Sequence, residues 1–197
     1  MTFPVCYPGE SRHIRNTGTK MTPEDVIDFW FAAGESRWFT RNAAFDGELS
    51  VRFKEALARA RDGAFDHWAE TPKGTLALII LLDQFSRNLF RGSGEAFAAD
   101  AKAREIARAA VARGIDQLLG PVERMFVYLP FEHSENLADQ DESVRLFEAL
   151  GDDLAVYAHR HREVIARFAR FPHRNAALGR ECTAEELVYL AEPGAGF

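Results

Sequence analysis

A chain of 197 residues, 47% hydrophobic and 27% charged, has the size and composition of one globular domain able to bury a sizeable core. Its formal net charge of −6 argues against generic nucleic-acid binding, which needs a basic surface to displace counterions. No run approaches the roughly 18 apolar residues of a membrane span. Cys6 and Cys182 give neither a disulfide framework nor metal-ligand spacing. We therefore expect a soluble protein of the reducing cytoplasm, with free thiols and no signal peptide.

Residues 1–21 carry turn formers and charges without periodicity and are expected to form a disordered or loosely attached extension. A single helical domain over 22–197 should follow. Thr22-Pro23-Glu24-Asp25 is a helix start, with a cap, a proline suited to the first turn and two acids at the positive end. Val26, Phe29 and Trp30 form its apolar stripe and Gly34 ends it, with Trp38-Phe39 plugging the gap to the next helix. Phe45, Leu49, Phe53, Ala56 and Ala60 recur at helical spacing and predict a helix over about 42–61, with a short turn at 64–68.

Thr71-Pro72 repeats the start signal and launches Leu76–Gly92, LALIILLDQFSRNLFRG. Its opening is apolar on every side, so the helix over about 72–90 should be surrounded by the others. A buried strand is the competing reading. It is disfavoured because only Ile79 and Ile80 of the run are β-branched and a helix start lies just upstream.

Downstream, Ala99, Ala103, Ile106 and Ala110 make a narrow stripe that predicts a close-packed helix, ended by Gly114. Pro121 opens a further helix with Val122, Met125, Phe126 and Leu129 inward, which Pro130 must kink or restart. Short and long helices are predicted over 141–150 and about 152–170. The latter carries Leu154, Tyr157, His161, Ile165 and Phe168 on one face, and Pro172 breaks it. Thr183-Ala184-Glu185-Glu186 reads as a capping box, with Leu187 and Leu190 turned inward. No segment shows period-two alternation. The expected fold is all-α, stacked antiparallel helix pairs around the 72–90 helix.

Three polar segments interrupt this pattern. The first carries Asp83, Arg87, Asn88 and Arg91, the second Glu132, His133 and Glu135, and the third Arg170, His173, Arg174 and Asn175. Phe85-Ser86-Arg87-Asn88 and Phe171-Pro172-His173-Arg174-Asn175 resemble each other at a separation of about 86 residues, a short echo that falls well below a repeat signature. Arginines near buried helix ends and carboxylates on the middle segment should find one another or a ligand, because an uncompensated buried charge is costly. His161, on an apolar stripe, reads first as a hydrogen-bonded core residue and second as a functional one.

Metal binding is not expected. Glu132 and Glu135 would share a helix face with His133 roughly 100° away, and no HExxH or paired ExxH motif occurs. Nor is there a nucleophile elbow, or a glycine loop after a strand to cradle a phosphate, so no cofactor is expected. From Arg160 to Arg180 the chain has six arginines and one acid, Glu163, an excess that suits either an anion site or a solvated face with salt bridges.

The segments TPEDVIDFWF, LALIILLDQFSRNLFRGSGEAFAAD, YLPFEHSE and RFPHRNAALGRECTAEE, with Trp38-Phe39 and Phe45-Asp46, together resemble the bacterial family known as domain of unknown function 924, over about 23–190. Ser86 departs from the family pattern, which has proline there as this chain does at Pro172. The resemblance implies a helical fold similar to tetratricopeptide-repeat proteins and brings no established activity. The regular repeat of about 34 residues is absent, which supports helix-hairpin stacking over a peptide groove.

Three functions are open at this point. The first is a binding module holding a small anionic ligand or peptide carboxylate, with Arg87 and Arg174 as donors, Asn88 and Asn175 orienting, and His133 or His173 carrying a proton. The second is a hydrolytic enzyme with Glu132 or Glu135 as base. The third is a salt-bridge network with partners bound elsewhere. No feature specifies an oligomeric state.

Overall fold

The computed structural model describes residues 21–196, so the expectation for the N-terminal extension lies almost wholly outside the described residues, and Met21 packs against the core. Every regular element among the described residues is helical. We label the main helices α1 Pro23–Ala33, α2 Ala43–Arg61, α4 Asp100–Ala112, α5 Pro121–Glu132, α6 Leu137–Glu148, α7 Asp152–Phe168 and α8 Ala184–Leu190. Between α2 and α4 runs the central helix, α3, continuous through Pro72–Ile79, Ile80–Phe85 and Ser86–Leu89. None of these helices is long and apolar enough to cross a membrane.

The caps act as their chemistry dictates. Thr22 and Asp25 bond reciprocally at the start of α1, as Thr183 and Glu186 do at the start of α8, and Gly34 ends α1 at φ 76°. Leu76 through Leu82 are fully buried, and α3 contacts α1, α2, α4 and α5, as an all-round apolar helix requires. Phe85 extends that core, its ring 4.9 Å from Phe53 and 5.6 Å from Trp30. The alanine stripe of α4 buries Ala103, Ala107 and Ala110, and helices α5, α6 and α7 then stack in chain order.

The middle of α3 is not α-helical. Residues Ile80–Phe85 form a π-helix, wider by one residue per hydrogen-bonded turn, an irregularity frequent at functional sites. It turns the chain from its apolar run to Asp83 and Gln84, both buried.

Several local expectations are corrected. Trp38 is buried and donates from Nε1 to the Trp30 carbonyl at 2.8 Å, whereas Phe39 is exposed and does not plug the gap. Pro130 lies within α5, which runs on only to Glu132, and Val122 on that helix is exposed. The helix predicted over 141–150 begins earlier, capped by Asn136. Tyr157 faces outward from α7, whose buried face carries Ala155, Ala158, His161, Val164 and Ile165. That helix ends at the left-handed Ala169 (φ 56°), ahead of Pro172. In α8, Leu187 is exposed and Glu186 is buried, because a bidentate ion pair with Arg170 anchors that helix in place of its leucines.

Candidate functional site

The π-turn carries Asp83 into the protein interior. Its Oδ1 lies 3.0 Å from Arg87 Nη1 and 2.9 Å from His133 Nδ1, and its Oδ2 accepts from Gln84 Nε2 at 2.7 Å. Burial opposes its ionisation, but Arg87 and His133 hold the carboxyl well below the usual carboxylate range. Arg87 then bridges outward, giving two hydrogen bonds to Asp100 at 2.9 and 3.0 Å. Asp100 opens α4, where the positive helix end favours its charge.

Arg174 reaches the same Asp100 from the far side but only at 3.7 Å, beyond hydrogen-bond distance. Its guanidinium lies over Phe171 at 4.4 Å and Phe97 at 4.7 Å, and its buried Nε has no hydrogen-bond partner among the described residues. Burial and the neighbouring Arg87 lower its pKa to about 10, against the pull of Asp100, Glu135 and Asp83, so it stays charged at neutral pH.

Behind these lie two neutral groups. Glu132 is buried, and burial and the charge of Asp83 push its carboxyl up to about 8. His161, 3.5 Å from Glu132 through Nδ1, donates to Tyr157 O at 2.9 Å, and burial pushes it down to about 3. Since a backbone carbonyl can only accept, His161 carries its proton on Nδ1. His133 is also lowered, by burial and then by Arg87, so it is neutral at pH 7 with Nδ1–H directed at Asp83.

The sequence-predicted residues therefore divide. Asp83, Arg87, Glu132, His133, His161 and Arg174 converge, with His173 exposed at the rim, its ring 5.4 Å from Phe171. The others staple helices nearby. Asn88 and Arg91 bond Asp46 of α2. Arg170 and Asn175 bond Glu186 of α8. Glu135 does not share a face with Glu132, because α5 ends between them. Both its oxygens are held by Arg180 at 2.7 and 2.9 Å, and it accepts from the Phe171 amide at 2.8 Å.

Asp100, Phe97, Arg180 and Glu186 were missed as partners, although all four lie inside the segments that carry the family resemblance. Among the described residues no three His, Cys, Asp or Glu side chains are grouped to hold a metal ion. Two grooves, one lined by Phe29, Ala33, Phe45 and Arg52 and one by Arg160, Val164 and Tyr189, share no residue with the cluster.

The fold and the cluster define a helical protein built on a buried central helix, with an ionic cluster at that helix's polar end. The comparisons place it further. Residues 26–194 match the family described as bacterial protein of unknown function, DUF924, and the chain belongs to that family. It is also similar to the solved structure of a protein of unknown function from Agrobacterium tumefaciens, at 44% identity and a TM-score of 0.84, over 87% of this chain and 97% of that one. No curated protein matches the chain significantly.

Proposed function

We propose that this is a cytoplasmic binding protein that holds a small anion, a carboxylate or phosphate group, against Arg174 with Arg87 beside it. One observation carries the reading. Arg174 is buried between two aromatic rings, its Nε lacks an acceptor, and its nearest carboxylate is already committed to Arg87 through two hydrogen bonds. A guanidinium so placed is the bidentate donor that recognises planar or tetrahedral oxyanions. A bound anion would relieve the repulsion between the two arginines, and removing water from around the pair strengthens the contact.

The salt-bridge reading accounts for a different set of residues. Arg91–Asp46, Arg170–Glu186 and Arg180–Glu135 are complete pairs that need no ligand. It leaves Arg174 unexplained, since a staple would present an acceptor to it.

The test is the melting temperature of the protein titrated with phosphate, acetate and citrate against chloride at constant ionic strength. At least one oxyanion is expected to raise it by several degrees, through preferential binding to the folded state, and Arg174→Met should abolish the shift. Equal responses of wild type and variant, or none from the wild type, overturn the proposal.

A further inference from the structure

We infer that the cluster is a hydrolytic site in which His133 Nε2 is the general base and Asp83 its orienting carboxylate, acting on a small ester that bears an anionic group. The inference rests on the anion-binding reading, with Arg174 as the anchor.

The geometry is that of an oriented base. Asp83 is fully buried and fixed from three sides, by Arg87, Gln84 and its own helix. At 2.9 Å its carboxylate accepts a hydrogen bond from Nδ1–H of His133, which leaves the lone pair on Nε2. His133 keeps 14% of its side chain exposed, and with Nδ1 turned to a buried carboxylate Nε2 lies across the ring from that contact. An imidazole with one nitrogen held by a buried carboxylate and a lone pair left on the other, in the field of Arg174, is an oriented general base suited to activating a water.

The two carboxylates that sequence spacing offered as bases are excluded by their surroundings. Glu135 is sequestered by Arg180, and Glu132 is protonated below about pH 8. Glu132 can donate a proton but cannot accept one at neutrality.

In the step, Nε2 takes a proton from water as the water oxygen bonds to the ester carbonyl carbon, and the carbonyl π pair moves to its oxygen. The intermediate collapses with cleavage of the carbon–oxygen bond to the leaving alkoxide, which recovers the proton from the His133 imidazolium. Water and ester give acid and alcohol, with no other reactant.

The probe is the mono(4-nitrophenyl) ester of glutaric acid, with neutral 4-nitrophenyl acetate as comparison. The wild type is expected to hydrolyse the anionic ester well above the buffer rate and to prefer it to the acetate. His133→Gln, whose amide can still donate to Asp83, should lower kcat about 100-fold or more with KM little changed, the scale of a lost general base. Arg174→Met should chiefly raise KM.

The groups facing His133 are Asp83 and Arg87 from α3, His161 from α7, and His173 and Arg174 from the 172–174 turn. Of these, His133 itself should set an acid limb lying below pH 6.5, because burial and the arginines lower it. A rate unchanged in a folded His133→Gln protein, or no acceleration of the anionic ester, overturns the inference. If oxyanions still raise the melting temperature in that case, the binding reading stands alone. If they do not, both fail.

Discussion

His133 Nδ1 and Asp83 Oδ1, fifty residues apart in sequence, lie 2.9 Å apart at the point where the central helix widens into its π-turn. The contact joins α3 to the end of α5 and depends on a carboxylate with no exposure at all. Asp83→Asn should therefore be costly. It removes the charge that Arg87 and His133 share, and breaking a buried pair costs about 3–5 kcal/mol. Arg87 retains Asp100, so the loss should fall toward the lower end, read as a lower urea midpoint at unchanged slope. A midpoint within error of wild type would show that the pair contributes nothing.

Glu132 predicts an unusual pH response. Its folded pKa is raised from 4.5 to about 8, so between those values the folded state holds a proton that the unfolded state has released. Stability from this group is therefore intact below pH 4.5 and falls as pH rises to 8. Glu132→Gln, which preserves the neutral shape, should melt at or above wild type at pH 8, with little difference at pH 5. Parallel melting curves for the two proteins across that range would refute the assignment.

His161 and His133 act in the opposite direction. Both are lowered from 6.5, so below that value the unfolded state binds protons that the folded state refuses. Their stability contribution is complete above pH 6.5 and is lost as pH falls. Between pH 4.5 and 6.5 His161 offsets Glu132 and the lowering of His133 tips the balance, while above pH 6.5 Glu132 acts alone, so these three groups together place maximum stability near pH 6.5. Melting measured in half-unit steps of pH would locate the maximum. His161→Phe should flatten the acid side, and a variant curve as steep as the wild type would contradict it.

Arg180 and Arg174 should behave differently despite similar sequence context. Arg180 completes a clamp on Glu135, Asn175 and the Phe171 carbonyl. Its pair with Glu135 is partly solvated, so Arg180→Ala should cost about 1 kcal/mol. Arg174→Met removes a buried charge with no complete partner and should leave the urea midpoint equal or higher. The reverse order would make Arg174 a staple.

Gly74 tests the packing below the site. A Cβ there would sit 2.1 Å from the Trp68 carbonyl oxygen, a backbone atom that cannot move aside. Gly74→Ala should cost several kcal/mol despite the higher helix propensity of alanine. Calorimetry showing equal or greater stability would mean that the 66–70 turn yields.

The sequence by itself determined the elements and the centre of the fold. Caps at Thr22, Thr71 and Thr183 are local chemistry, because a side-chain oxygen and a backbone amide three residues on need no distant partner. The burial of Leu76–Leu82 follows equally from composition, since an apolar surface on all sides has to be covered.

Facing errors arose where one contact outweighed periodicity, as when Glu186 replaced Leu187 on the inner face of α8. Tertiary structure alone decided which charges meet. Arg174 and Arg91 are alike as residues beside an asparagine or an apolar helix, yet Arg91 finds Asp46 at 2.7 Å and Arg174 stops 3.7 Å from an already occupied Asp100. The π-turn that delivers Asp83 to His133 lies where α3 contacts α1, α2, α4 and α5. Ion pairing depends on separations of a few ångströms between segments tens of residues apart, and residue spacing along one helix carries no information at that scale.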